Sequence, residues 1–429
     1  MKQILLAFYG DDFTGSTDAL DFITRAGAKA VLFIEPPTAG QLEEFPDIDV
    51  IGVAGKTRAL PPDEMEEILL PAFEQLKASG AKQVHYKVCS TFDSSPSVGS
   101  IGKAIDCGAS VFQNKLIPVL GGMPALGRYC LFGNLFAQMG IGSNGMIYRL
   151  DRHPSMNKHP VTPADESDLR SHLAKQTDKK FGLIDILQLE KAIPHWIEGL
   201  QADEEVVLVD ALYDSHMGKI GAWMIGLEND KALFSIGGSG VEASLGNYWN
   251  ETGLLTPRKA WQPILKAEPL LIVSGSCSPV TAAQIEWAKA NGFEEVILDA
   301  VEICNGGLVD ATQVISILNT RRHAMVHTGT KQPDNLSSEK LGIALGTIAK
   351  EAVMKTGINR VMVAGGDTSS YAARAMEIDA VEMVAPLISG APLCKAYSKN
   401  EKINGLEVNF KGGQFGPVDY FGLLADGKF

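Results

Sequence analysis

Polar and apolar positions along this chain fall into two alternating periods. Short strand-like runs occur at Ile4–Phe8, Val50–Ala54, Gln83–Val88, Phe112–Val119, Phe181–Ile186, Val206–Val209 and Leu233–Ile236. Between them the period lengthens to that of a helix. Beyond Gly15, Ala19, Phe22, Ile23 and Ala26 recur at i, i+3, i+4 and i+7, Asp63–Lys77 is amphipathic, and Gly99–Cys107 starts a further helix. Such alternation predicts βα units and a mainly parallel sheet. Residues 119–146 are rich in Gly and Met and show neither period. Across 250–269 the pattern lapses and Thr256-Pro257, Gln262-Pro263 and Glu268-Pro269 mark a linker. A second series then begins with Leu270–Val273 and continues through Val296–Leu298, Ala324–His327 and Val361–Ala364. The expected architecture is α/β, with two domains, residues 1–255 and 256–429. Each is a mainly parallel sheet flanked by helices, and the active site lies in the interdomain cleft.

Composition narrows the class. A length of 429 residues exceeds one typical core, which agrees with two domains. With 45% hydrophobic and 21% charged residues the chain reads as a globular protein. A net charge of −13 argues against a nucleic-acid partner, which needs a basic footprint, but leaves room for a small anion in a local basic pocket. No signal peptide and no membrane span is predicted. The six cysteines, Cys89, Cys107, Cys130, Cys277, Cys304 and Cys394, form no C-x-x-C pair, which suits the reducing cytoplasm.

In the first half, four loops follow strands with charged or hydroxyl groups. The first, after Ile4–Phe8, holds two adjacent acids, Asp11 and Asp12, with Thr14 between Phe13 and Gly15. Asp and Gly are favoured in any βα turn, but turn geometry explains two adjacent like charges poorly. The second loop is Gly55-Lys56-Thr57-Arg58, the third Lys87-Val-Cys89-Ser90-Thr-Phe-Asp93-Ser-Ser, and the fourth Gly237-Gly-Ser-Gly240. In a parallel sheet these gather at one edge, where such folds bind ligands. Arg58 is expected to clamp a carboxylate, with Lys87 and Ser90 adding donors. Asp12 is expected to face substrate hydroxyls as orienting group or base. Singly, Arg58 or Lys87 is more simply a solvated surface charge; jointly, they point to a small polyhydroxy acid.

The second half has three glycine-rich turns. In Ser274-Gly275-Ser276-Cys277-Ser278, Ser278 stands as N-cap before Pro279 at the first helical position, and such a helix start exposes N–H groups suited to phosphate. Gly365-Gly366-Asp367-Thr368 and Lys411-Gly412-Gly413-Gln-Phe-Gly416 are the other two. None matches a Walker or dinucleotide fingerprint, and any one alone is an ordinary βα corner. Three in one domain favour a phosphate-bearing ligand. Cys277 reads as a packing residue, and His153 and His159, in a Pro-rich loop, lack metal-ligand spacing. No residue is assigned to a metal.

With these motifs together, the chain resembles the four-carbon acid sugar kinase family. The resemblance rests on Asp11–Gly15, Lys87–Ser94, His159–Pro163, Gly275–Ser278 and Lys411–Gly416, in that order and across almost the whole chain. It implies an N-terminal domain for an acid such as threonate, erythronate or 3-oxo-tetronate, and a C-terminal domain for ATP. It places Asp12, Arg58 and Lys87 through Ser90 on the acid, and Ser276, Gly365–Thr368 and Gly413 on the nucleotide. The chain departs from the family pattern at Asp367, where Glu is usual, at Gly412 and Gln414 in the late loop, and at the Gly-Lys-Thr preceding Arg58.

The expected reaction is transfer of the γ-phosphoryl group of ATP, with Mg²⁺, to a hydroxyl of a four-carbon sugar acid. The expected catalytic residue is Asp12, with Asp93 as runner-up. Asp11, Asp12, Thr14, Arg58, Lys87, Cys89 and Ser90 are expected on the acid. Ser276, Ser278, Gly365, Gly366, Asp367, Thr368, Gly412 and Gly413 are expected on the nucleotide. The alternatives are a sensor that binds both ligands without turnover and, third, a nucleotide-dependent hydroxy-acid dehydrogenase. Expected partners are the small acid and ATP, with no nucleic acid and no membrane; whether the chain forms a homo-oligomer is left open.

Overall fold

A computed structural model describes residues 2–139, 145–159, 161–228, 230–329 and 336–429. The chain divides into two compact units. The first comprises Met1–Asp11, Phe22–Ala30 and Pro36–Arg258; the second comprises Asp12–Asp21, Val31–Glu35 and Lys259–Phe429. The division is therefore not the single cut after residue 255 expected from the sequence. Two short N-terminal segments leave the first unit because their partners lie in the second. Val31, Leu32 and Phe33 pair antiparallel with Glu382, Val381 and Ala380, and the Phe13 ring packs 4.5 Å from that of Phe410.

Among the described residues of the first unit seven strands run parallel, in the order Val50–Ala54, Leu6–Gly10, Gln83–Lys87, Leu233–Gly237, Ile117–Leu120, Val206–Val209 and Phe181–Ile184. The four between Val50 and Gly237, and Val206–Val209, are buried at every position. That burial accounts for the near-continuous apolar character of Leu6–Gly10, Val50–Ala54 and Val206–Val209, while Gln83–Lys87 carries the buried polar side chains Gln83, His85 and Lys87. Helices Pro62–Ala78 and Ile101–Phe112 bury Phe73 and Phe112. Both rings lie 5.2 Å from Phe234, with Tyr86 6.0 Å from Phe73. Gly108 permits this approach, since a Cβ there would collide with the Phe234 ring. The run Phe112–Val119 spans a boundary: Phe112 ends its helix, Gln113 caps it with φ of 53°, and the strand starts at Ile117. The aperiodic stretch after it contains two antiparallel strands, Arg128–Leu131 and Asn134–Gln138, joined by Ile147–Arg149. Asp210 staples their turn to the main sheet by accepting from the N–H groups of Phe132 (2.5 Å), Gly133 (2.9 Å) and Ile186 (3.0 Å).

Among the described residues the second unit has five parallel strands, in the order Glu294–Ile297, Ala324–His327, Leu270–Ser274, Arg360–Ala364 and Glu407–Lys411. Glu407–Lys411 is absent from the sequence-based expectation, as are Ala391–Tyr397 and Ala380–Ile388, which extend the sheet antiparallel. Helices Pro279–Ala290 and Tyr420–Asp426 cover a core of Leu270, Ile272, Ile285, Met325, Met362, Phe421 and Leu424. Arg360, fully buried, donates to Glu407 Oε2 (2.6 and 2.8 Å) and to the carbonyls of Leu424 and Leu265 (2.8 Å each). It ties the linker and the last helix to a central strand. Among the described residues no helix is long and apolar enough to cross a membrane.

Candidate active site

Register decides which loops of the first unit meet. Gly10 pairs with Ala54 on one side and Lys87 on the other, and Lys87 pairs with Gly237. The strand ends are therefore level, and the loops after them share one edge. Asp11 N donates to Lys87 O (2.8 Å) and Val88 N to Gly237 O (2.8 Å), which carries the pairing one residue into the loops.

Asp11 and Arg58 form a two-pronged ion pair, Nη2 to Oδ1 at 2.7 Å and Nε to Oδ2 at 3.0 Å, while Arg58 N donates to Asp11 O. Asp11 is buried and Arg58 about one quarter exposed. Both carboxylate oxygens of Asp11, which is expected on the acid, hold the Arg58 guanidinium in a set plane. Lys87 is 2% exposed, and among the described residues its ammonium makes one hydrogen bond, to Val88 O at 2.9 Å. An ammonium carries three donors, so this buried cation is poorly satisfied by the protein alone. Thr57 Oγ1 meets Tyr86 OH at 2.8 Å beneath the Arg58 turn. In the third loop, Cys89 Sγ, Thr91 Oγ1 and Asp93 Oδ1 form a chain with links of 3.0 and 2.8 Å. Burial, helped by the Asp93 charge, pushes the Cys89 thiol up to about 12, so it is a thiol at neutral pH.

Two groups here were missed in the sequence. Arg128, on the antiparallel hairpin, donates from Nε to Ser90 Oγ (3.2 Å) and from Nη1 to Leu126 O (3.0 Å). It adds a second guanidinium to the loop of Lys87. It lies where no period was readable, and only its position after Gly127 marks it. His85 and Glu242 form a fully buried pair, Nδ1 to Oε1 at 2.7 Å, and His85 Nε2 reaches Gly237 O at 3.1 Å. The two-residue period that puts His85 and Lys87 on one strand face was available to find it. His153 and His159 serve their own loop. His153 Nδ1 accepts from Ser155 N and Met156 N (3.3 Å each), and His159 Nδ1 accepts from Thr162 N (3.0 Å). Pro160 of the His159–Pro163 element lies outside the described residues.

Asp12 and Thr14 belong to the second unit rather than to the acid-binding half expected from sequence. Asp12 precedes helix Phe13–Arg25 and caps it, Oδ1 accepting from Gly15 N at 2.7 Å and Oδ2 from Thr14 Oγ1 at 2.9 Å. A Cβ built on Gly366 would stand 3.8 Å from Asp12 Oδ2 and 3.6 Å from Thr14 Oγ1. The carboxylate thus lies against the first residue of helix Gly366–Ala375.

The three glycine turns of this unit are brought together in the same way. His327, Ser274, Ala364 and Lys411 are level across four strands. Ser278 Oγ caps helix Pro279–Ala290 by accepting from Val280 N (3.2 Å), and Ser276 Oγ accepts from Ser278 N (3.3 Å). Gly275 and Gly365 both lie against Thr368 Oγ1, and Gly413 lies so close to Ser276 Oγ that a Cβ would collide with it. Gly365, at φ of 119°, donates to Lys411 O (2.8 Å). Gly412 and Gly413 are half-buried, whereas Asp367 is exposed. Two helix N-termini and a glycine loop thus converge, which is the donor set that holds a polyphosphate.

Comparison with known proteins agrees with this division of chemistry. A family model described as a sugar-binding N-terminal domain matches residues 6–245, and one described as a nucleotide-binding C-terminal domain matches residues 271–421. The chain is 38% identical to a 3-oxo-isoapionate kinase of Paraburkholderia graminis, over 99% of this chain and 95% of that one. It is 28% identical to a 3-oxo-tetronate kinase of Methylobacterium radiotolerans, over 99% of both. Among solved structures, a Salmonella typhimurium protein described as a putative tRNA synthase shares the fold with a TM-score of 0.78, at 24% identity over 98% of both chains. A Haemophilus influenzae protein shares it at 0.73, with 23% identity over 99% of this chain and all of the other. These matches and the residues above place the chain in the four-carbon acid sugar kinase family.

Proposed function

We propose that this protein transfers the γ-phosphoryl group of ATP to a hydroxyl of a small sugar acid. The observation that carries the reading is the position of Asp12. A carboxylate held by Gly15 N and Thr14 Oγ1 stands beside the N-terminus of helix Gly366–Ala375, where the second unit gathers phosphate-binding donors. A base so placed meets an acceptor hydroxyl next to the phosphoryl group it attacks. In the first unit Lys87 supplies a buried cation with donors to spare, and Asp11 orients Arg58, so a carboxylate-bearing ligand is favoured there. Positioning and charge stabilisation are the main contributions a protein makes to phosphoryl transfer.

Ser276, Ser278, Gly365, Gly366, Thr368, Gly412 and Gly413 would hold the nucleotide phosphates. Mg²⁺ would arrive on the phosphates, neutralising their charge, with Asp12 and Asp367 as carboxylates beside the Gly365–Thr368 turn. Asp93, hydrogen-bonded to Thr91 in the first unit, is the weaker candidate for the base. The acid is of the 3-oxo type acted on by the relatives, and the 38% identity puts the 3-oxo-isoapionate enzyme first. A cytoplasmic setting suits six cysteines of which none forms a disulfide.

The test is ATP consumption with Mg²⁺ across 3-oxo-isoapionate, 3-oxo-tetronates and the threonate and erythronate isomers, with products identified by mass spectrometry. Phosphorylation of one acid is expected. Saturable binding of ATP and an acid with no phosphorylated product would make the protein a sensor instead.

A further inference from the structure

Beneath the nucleotide cradle lies a cation that the reaction above does not use. Lys411 ends the strand Glu407–Lys411 and has no exposed surface. Its ammonium donates to Gly412 O (3.1 Å), Phe415 O (3.1 Å) and Thr281 Oγ1 (3.4 Å). Each acceptor belongs to the cradle or to the helix that opens it. Thr281 Oγ1 in turn donates to Gly413 O (2.8 Å), and Gln284 Nε2 to the carbonyls of Phe415, Gly416 and Pro417. The turn that rests on Ser276 is thus drawn down onto the first two turns of helix Pro279–Ala290, with Lys411 at the centre.

All three acceptors are neutral. The strand beside Lys411 presents Ala364, helix Pro279–Ala290 presents Thr281 and Gln284, and helix Tyr420–Asp426 presents the Tyr420 ring, 5.9 Å from Nζ. Tyr420 is the titratable side chain that meets the ammonium. Burial holds its phenol protonated, and its hydroxyl donates to Asn409 Oδ1. Among the described residues no carboxylate pairs with Lys411. A positive charge buried without a counter-ion is costly unless an anion comes to it.

We propose that Lys411 is a positioning residue for the nucleotide: its ammonium clamps the Gly412–Phe415 turn and sets a buried charge beneath the cradle, so nucleotide binding draws a proton onto the protein. The inference rests on the kinase reading. Burial lowers the lysine to about 7 before nucleotide arrives, so near neutral pH only part of the population carries the charge. An anion overhead favours the charged form and raises the pKa. Affinity is then fully present below about 7 and falls as pH rises from there through the pKa of the complex.

The experiment is calorimetry of ADP binding at about pH 8, where the terminal phosphate is ionised, in two buffers of different protonation enthalpy. The native protein should take up roughly half a proton or more per ADP, by the same linkage. Lys411→Arg, which keeps the charge but does not titrate, should bind ADP with no uptake. Lys411→Met should bind about tenfold more weakly or worse, in keeping with the loss of a charged donor. Should Lys411→Met fail to fold, Lys411→Arg carries the assignment. No uptake by the native protein, uptake persisting in Lys411→Arg, or Lys411→Met binding as the native protein does would each overturn the inference and leave the kinase reading standing. No ADP binding under any condition would remove the nucleotide site and both readings with it.

Discussion

Asp11 and Asp12 are neighbours in sequence with unlike partners. Asp11 holds Arg58 through both oxygens, while Asp12 caps a helix and lies against Gly366. The acidic doublet was legible in the sequence as unusual for a turn. Its division of labour was not, because it depends on Arg58, 47 residues away, and on a glycine more than 350 residues away. A cap and a base make different demands, and one substitution separates them. Asparagine caps a helix about as well as aspartate, within a few tenths of a kcal/mol, but it cannot accept a proton. Asp12→Asn should therefore melt close to the native temperature while kcat falls about 100-fold or more. Near-normal turnover in a correctly folded variant would reduce Asp12 to a cap. Thermal melting and steady-state kinetics on the same preparation decide it.

Elements explain why isolated signals become a site. No glycine turn of the second unit is informative by itself, and their convergence follows from the level register of Ser274, Ala364 and Lys411. In a parallel sheet the loops after successive strands share an edge once the strands are found, so these turns were accessible from sequence. The hairpin carrying Arg128 was not, because its strands pair antiparallel with each other, outside the alternation of strand and helix. Nor were the antiparallel strands Ala380–Ile388 and Ala391–Tyr397, whose apolar runs are interrupted by Glu382 and Pro386 and by Pro392 and Lys395. Close packing of the turns gives a test at this scale. Gly413 has no space toward Ser276 Oγ, so Gly413→Val should push the loop off the helix start. The KM for ATP should rise at least about tenfold, equivalent to about 1.4 kcal/mol, with the KM for the acid within about twofold of native. An unchanged KM for ATP would show that the loop does not touch the nucleotide.

At the scale of the whole molecule, two α/β units and the switch from one chemistry to the other were legible, since alternating periods and a Pro-rich linker mark both. The exchange of short segments was not. Strand pairing between Val31–Phe33 and Ala380–Glu382 spans about 350 residues, and no local pattern reports it. It bears on any attempt to express the halves separately. A fragment of residues 259–429 lacks the strand that covers Ala380–Ile388 and the ring that packs on Phe410, leaving an open strand edge. It should be markedly more prone to aggregate than the full chain, and a synthetic peptide of residues 10–35 should improve its recovery; size-exclusion chromatography measures both. Equal recovery of fragment and full chain would show that these segments are dispensable to the second unit. The same exchange sets a timetable for synthesis on the ribosome. Residues 12–21 and 31–35 emerge among the first, yet wait for nearly the entire polypeptide before their sheet exists, and contacts of such long reach slow folding. The nucleotide cradle therefore becomes complete only near the end of translation, so nascent chains released early carry no finished site for ATP.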